Sequence, residues 1–173
     1  GNPVFNRASP SSHDRCVTKI VEDYLPHGGR VLDIGGTDAG FRNHAALPAG
    51  CTVVIANPEH GVGADYTFVA EIPMREIEPF DLAMLFGVAM YIREGDLVEL
   101  MRDIRSRLRH RGWLLIAEPN PEGAVGKFEV AAKSIYAAIR SLWNPTNFTF
   151  YTMAQTTEML RTAGFTQIRD RTD

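Results

Sequence analysis

The stretch 30–36, Arg-Val-Leu-Asp-Ile-Gly-Gly, limits what this chain can fold into more than any other. Val31, Leu32 and Ile34 break any alternation of apolar and polar positions, so a strand here must be covered on both faces. Gly35 and Gly36 then end it, and two residues without Cβ atoms let a ligand reach bare main chain. The same short apolar pattern returns at 51–56, 80–86 and 113–117, and residues 66–69 are read as a further strand, third in chain order.

Between the strands the period changes. Cys16, Val17, Ile20, Val21 and Tyr24 recur at one-turn spacing, which predicts a helix over 13–25, capped by Ser11 or Ser12 and stopped by Pro26 and Gly28-Gly29. Leu97, Leu100, Met101, Ile104 and Leu108 form one apolar stripe on a helix over 94–108. Alanines with Ile135 and Ile139 predict a helix over 128–142, and a last helix over 153–163 closes at Gly164. Residues 165–169 are read as a final strand. Residues 1–12 form an irregular arm whose opening Gly1-Asn2-Pro3 reads as an expression scar.

Buried strands alternating with helices predict an α/β fold with a doubly wound, mostly parallel sheet. In such sheets ligands bind beyond the carboxyl ends of the strands, where strand order reverses. That rule gathers Gly35-Gly36, Asn57-Pro58, Phe86-Gly87 and Glu118 as site positions.

Composition narrows the function. At 173 residues, with 45% hydrophobic and 23% charged, the chain suits one globular domain over 13–173. No apolar run approaches a bilayer's thickness and no basic-plus-apolar leader opens it, so no membrane partner is expected. A net charge of −3 argues against bulk attraction to nucleic acid. Cys16 and Cys51 are the only cysteines, which excludes a disulfide framework and a Cys-rich zinc site and suits a reducing cytoplasm. No metal is expected.

A dinucleotide fingerprint needs G-x-G-x-x-G followed by an acid for the ribose. Here Gly35 and Gly40 fit, but Thr37 takes the middle glycine and Asn57 the acid, so the nicotinamide reading is weak. No Gly-Lys-Ser/Thr follows a glycine loop, so a Walker phosphate loop is absent.

The segments V-L-D-I-G-G-T (31–37), F-D-L-A-M-L-F-G-V-A-M-Y-I (80–92), R-L-R-H-R-G-W-L-L-I-A-E-P (107–119) and T-E-M-L-R-T-A-G-F (157–165) occur in this order. They resemble the successive motifs of class I S-adenosylmethionine-dependent methyltransferases, small and of the type 11/12 kind, over nearly everything after residue 13. The resemblance implies the Rossmann-like methyltransferase fold with S-adenosylmethionine as cofactor. It puts Gly35 and Gly36 beneath the methionine end, with Asp33 organising the loop or the cofactor's ammonium. Phe86 and Gly87 fall beside the methionine moiety, and Val69 and Ala70 are the adenine neighbours. Asn57, with Pro58 after it, stands where the family has an acid on the ribose hydroxyls. An amide oxygen accepts one such bond, without charge assistance.

The chain departs from the family pattern at Thr37, Ala39 and Asn57. Residues 57–65 are too few for a full crossover helix, so a turn or a single coil is expected there. The sequence also stops where the family adds an antiparallel strand, so either the sheet ends one strand early or the chain is part of a longer protein, with a further domain or a second copy as neighbour.

Methyl transfer from a sulfonium needs alignment, exclusion of water and, for a hydroxyl acceptor, removal of a proton. Tyr91 and Glu118 are the catalytic candidates: Tyr91 as an orienting donor facing the acceptor, Glu118 as the group accepting its proton. Their plain structural readings are a packed rim aromatic and a loop-capping carboxylate before Pro119. Asn120 is a weaker candidate. His13, His44, His60, His110 and Cys51 are read as structural. The arginines at 102, 105, 107, 109 and 111 read as a solvated helix face and its C-terminal turn. Residues 119–152, rich in aromatics, suit either a lid over a small acceptor or additional core. Two functions follow: O-methylation of a small molecule, or a catalytically degenerate domain of the same fold serving as a structural or regulatory module.

Overall fold

In the computed structural model, residues 12–38, 47–74, 78–117 and 149–170 are described. Helix α1 spans Ser12–Tyr24, strand β1 Gly29–Ile34, β2 Cys51–Ala56 and β3 Phe80–Phe86. Helix α2 is Glu94–Arg107, β4 Leu108–Ala117 and α3 Met153–Thr162. The four strands form one sheet in the order β2-β1-β3-β4, so strand order reverses between β1 and β3. β1 and β2 pair parallel, Gly29 opposite Cys51 and Ile34 opposite Ala56. β3 and β4 also run parallel. Gly112 lies against the carbonyls of Phe80 and Asp81 near one end, and the Gly87 N–H donates to Ala117 O at 2.9 Å at the other. The expected mostly parallel α/β sheet is what the chain builds.

The residues group into two compact units, 1–84 with 108–114, and 85–107 with 115–173. In the first, Val31 and Leu32 of β1, Ile55 of β2 and Leu82 and Ala83 of β3 are fully buried, as strands covered on both faces require. Val17, Val21 and Leu25 face inward at four-residue spacing, and the Tyr24 ring meets Trp113 edge-on at 5.2 Å. Asp81 ties the amino ends of the strands: its carboxylate accepts the Arg30 N–H at 2.8 Å and pairs with Arg109 Nε at 3.3 Å.

In the second unit, Leu97, Met101 and Ile104 are the buried stripe of α2, and α3 packs against that helix. Thr152 caps α3: its hydroxyl accepts the Gln155 N–H while Gln155 Oε1 accepts the Thr152 N–H. At the other end Gly164 donates to Arg161 O and Phe165 to Leu160 O, the paired bonds that close a helix at a left-handed glycine. Of the arginine run, Arg107 is buried and bonds the Asp103 carbonyl at 3.0 Å, and Arg102 pairs with Glu99.

Three expectations change. Residues 66–69 form no strand beyond a single bridge between Ala56 and Tyr66. Glu71 is the reason: its carboxylate accepts the N–H groups of Thr67 and Phe68, amides a ladder would need, and the chain turns into a 3-10 coil at Val69–Glu71. Residues 165–169 are not a strand, and the bonds that close α3 take up the amide of Phe165, the first of them. β4 begins at Leu108 rather than 113, and Arg111 in the left-handed region (φ 68°) bends it just before Gly112 meets β3. The expected helix over 128–142 lies outside the described residues. Residues 57–65 hold turns and bends and no helix, as their brevity required.

Tyr151 supplies a test of the second unit. Its hydroxyl donates to Ile92 O at 2.7 Å. Burial pushes the phenol up, the hydrogen bond with Thr149 opposes this, and Glu94 and Asp96 add to the rise. A folded-state value above the unfolded one means this stabilisation is complete below the ordinary phenol range and lost as pH rises through the raised value. Tyr151→Phe is expected to cost about 1 kcal/mol at neutral pH. It should also flatten the alkaline decline in the urea midpoint; an unchanged decline would show that another group causes it.

Candidate active site

Within the first unit, the carboxyl end of β1 delivers Asp33 and the glycine turn. Gly35 takes φ 79°, and its N–H donates to Ala56 O at 2.8 Å, carrying the β1–β2 ladder one residue past the strands. Gly36 is glycine for a different reason. The buried Asp33 carboxylate folds back across the turn, and a Cβ on Gly36 would overlap it. The turn therefore holds a carboxyl group at a fixed place against bare main chain.

Asn57, one residue past β2, is buried. Its Nδ2 donates to Gly36 O at 2.9 Å, and its Oδ1 accepts the Glu59 N–H at 2.9 Å. An amide nitrogen only donates and an amide oxygen only accepts, so these partners fix which way the carboxamide faces. Asp38 makes a second link: its N–H donates to Val62 O at 2.8 Å, and its carboxylate fills the place where a Cβ on Gly63 would stand. The short 57–65 segment is thereby fastened to the glycine turn at two points. Pro58 is exposed beside it; Val69 is buried in the unit's core, and Ala70 is exposed.

Within the second unit, Phe86 ends β3 half-buried, and Gly87 at φ 66° has open space where a side chain would project. Tyr91 ends a 3-10 coil, Ala89–Tyr91, with its side chain exposed. The coil is fixed from residues 149–151: Met90 O accepts the Thr149 N–H at 2.8 Å, and two residues on Ile92 O receives the Tyr151 hydroxyl. Glu118 directly follows Ala117, the partner of Gly87, but lies outside the described residues, as do Asn120, His44 and residues 119–148 of the expected lid.

So Asp33, Gly35, Gly36 and Asn57 come together, and Phe86, Gly87 and Tyr91 follow one another along the end of β3. The Asp38–Gly63 link and the Tyr151 anchor went unseen in the sequence. Both are long-range contacts, and the only local trace was a pair of glycines at 61 and 63 in a segment too short for a helix. His60 and His110 are exposed. Burial pushes the Cys51 thiol up, a Gly29 backbone bond opposes this and Asp81 adds to it, so the thiol is poorly suited to act as a nucleophile. Among the described residues no group of His, Cys, Asp and Glu could hold a metal ion, and no helix is long and apolar enough to cross a membrane.

The profile of a family described as a methyltransferase domain matches residues 10–169. No curated protein matches the chain in sequence. Among solved structures, the chain is similar to a candidate O-methyltransferase from Nostoc punctiforme PCC 73102, at 15% identity and TM-score 0.66, over 90% of this chain and 50% of that one. It is similar to human N-acetylserotonin methyltransferase in complex with S-adenosylmethionine, at 16% identity and TM-score 0.64, over 91% and 47%. A third is N,N-8-amino-8-demethyl-D-riboflavin dimethyltransferase from Streptomyces davawensis, at 18% identity and TM-score 0.66, over 88% and 47%. The chain thus spans about half the length of these relatives. Their likeness establishes the Rossmann-like fold, and the profile covers most of the chain: it is a methyltransferase domain and belongs to the class I S-adenosylmethionine-dependent methyltransferase family.

Proposed function

We propose that this domain transfers a methyl group from S-adenosylmethionine to an oxygen of a small-molecule acceptor in the cytoplasm. The observation that carries the reading is the buried Asp33 carboxylate folded over the Gly35-Gly36 turn at the carboxyl end of β1. A fixed negative charge beside bare main chain fits the ammonium and flat nucleoside of this cofactor. When bound, the cofactor supplies an electrophilic methyl on a sulfonium.

The chain's own residues have the remaining work. Asp33, Gly35 and Gly36 hold the methionine end. Pro58, Val69 and Ala70 line the nucleoside. Tyr91 orients the acceptor, and Glu118 takes its proton. No metal and no covalent nucleophile is needed, because the leaving group is already charged. The similar structures include an O-methyltransferase and an amino-group dimethyltransferase, and oxygen is the acceptor atom proposed for this domain.

Calorimetric titration with S-adenosylhomocysteine tests the binding step. Stabilisation of about 2.7 kcal/mol is expected when the ligand stands at a hundred times its Kd. Turnover on a panel of small phenols and amines then separates oxygen from nitrogen transfer. No heat and no thermal shift at millimolar ligand would leave the second reading, a module that keeps the fold without the chemistry.

A further inference from the structure

We infer that Asn57 is a positioning residue: its carboxamide holds the glycine turn in shape, in place of gripping the ribose. The inference rests on the cofactor reading above and changes how the turn is prepared for that cofactor. A side chain at the end of β2 can reach toward a ligand or back toward its own fold. Here both polar atoms of Asn57 are turned back. Nδ2 donates to Gly36 O and Oδ1 accepts the Glu59 N–H, each at 2.9 Å, and the side chain is buried.

The bond to Gly36 O requires a donor, and a carboxylate has none at neutral pH. An acid at position 57 would face the Gly36 carbonyl oxygen with a second acceptor, so an amide is what this turn demands. The departure from the family's acid is then explained by the short 57–65 segment. With no crossover helix to brace the loop, the brace comes from Asn57 on one side of Gly36 and from Asp38 at Gly63 on the other.

Exchanging Asn57 for Asp gives opposite signs under the two roles. If residue 57 gripped the ribose, Asn57→Asp would restore a charge-assisted bond and tighten S-adenosylhomocysteine binding. As a clamp it loses its donor, and binding at neutral pH should weaken about 10-fold, equivalent to about 1.4 kcal/mol. The clamp also leaves a pH signature. A protonated aspartic acid regains an O–H that can donate to Gly36 O, so affinity should recover as pH falls through the carboxylate range. Asn57→Ala, which has neither atom, should weaken binding with no such recovery. The titratable groups on the segments that meet at this turn are Asp33 on β1, Asp38 after it, and Glu59, His60, Asp65 and Tyr66 on the segment that follows β2. All are present in each protein, so the difference between Asn57→Asp and the parent isolates residue 57.

The experiment is calorimetry with S-adenosylhomocysteine on the parent, Asn57→Asp and Asn57→Ala at several pH values, alongside their urea midpoints without ligand. Weaker binding by Asn57→Asp that recovers in acid supports the clamp. Tighter or unchanged binding at neutral pH overturns it. If no protein binds the ligand, the functional reading fails, and the ligand-free midpoints decide the clamp. A midpoint lowered in Asn57→Asp at neutral pH and restored in acid supports it; no lowering overturns it.

Discussion

Gly36→Ala is expected to weaken S-adenosylhomocysteine binding about 100-fold, roughly 2.7 kcal/mol, while leaving the domain folded. The position lies past the end of β1, so no ladder bond is at stake, and its backbone is not in the left-handed region that would make the substitution costly by itself. The cost arises from one collision: the new methyl would occupy the space of the Asp33 carboxylate. That carboxylate is buried and has little room to yield, so either the side chain leaves the turn or the turn opens. Both outcomes remove the carboxylate that the proposed function assigns to the cofactor's ammonium. Opening the turn would also strain the Asn57 bond to Gly36 O.

A double-mutant cycle separates this account from general loop damage. If Gly36 matters because it makes room for Asp33, then Asp33→Ala and Gly36→Ala remove the same feature. Their combined loss should fall well short of the sum, by a coupling of about 1–3 kcal/mol. Additive losses would mean that Gly36 contacts the ligand independently of Asp33. A Gly36→Ala protein that binds as well as the parent would show that the carboxylate is not part of the cofactor site.

Which features the sequence disclosed follows from how local their causes are. The strands at 80–86 and 51–56, the stripe of α2 and the glycine closing α3 each depend on neighbours a few residues away, and the structure places them where the pattern did, although only Ile55 and Ala56 of the second strand are buried. The glycine turn was legible as bare main chain, yet the reason for Gly36 was not, because it depends on which way Asp33 points. Residues 66–69 look like a strand by composition. A carboxylate at Glu71 captured two of the amides that would have paired, and no periodicity records that competition. Asn57 was visible as a departure from the family's acid, but its two bonds connect it to Gly36 and Glu59 through folding of the turn. Its role could be framed only as a ribose contact until those partners were known.

Phe80→Ala is expected to lower stability by about 3–5 kcal/mol, the range for truncating a buried aromatic. Phe80 opens β3 and is 1% exposed. Its ring also supports a charge: the Arg30 guanidinium stands 5.2 Å from the ring centroid, and its buried Nε has no hydrogen-bond partner among the described residues. The attraction of a cation to the ring face, about 1 kcal/mol or more when desolvated, is part of what that guanidinium gains in its place. Phe80→Leu separates the two contributions, since it keeps most of the apolar volume and removes the face. A loss of about 1–2 kcal/mol is expected for it, and Arg30→Met in the Phe80→Leu background should recover some of that loss by removing the stranded charge. Urea midpoints at constant m measure all three. If Phe80→Ala costs less than about 1 kcal/mol, the Phe80 ring does not stand in the packed interior, because surface substitutions alone fall that low.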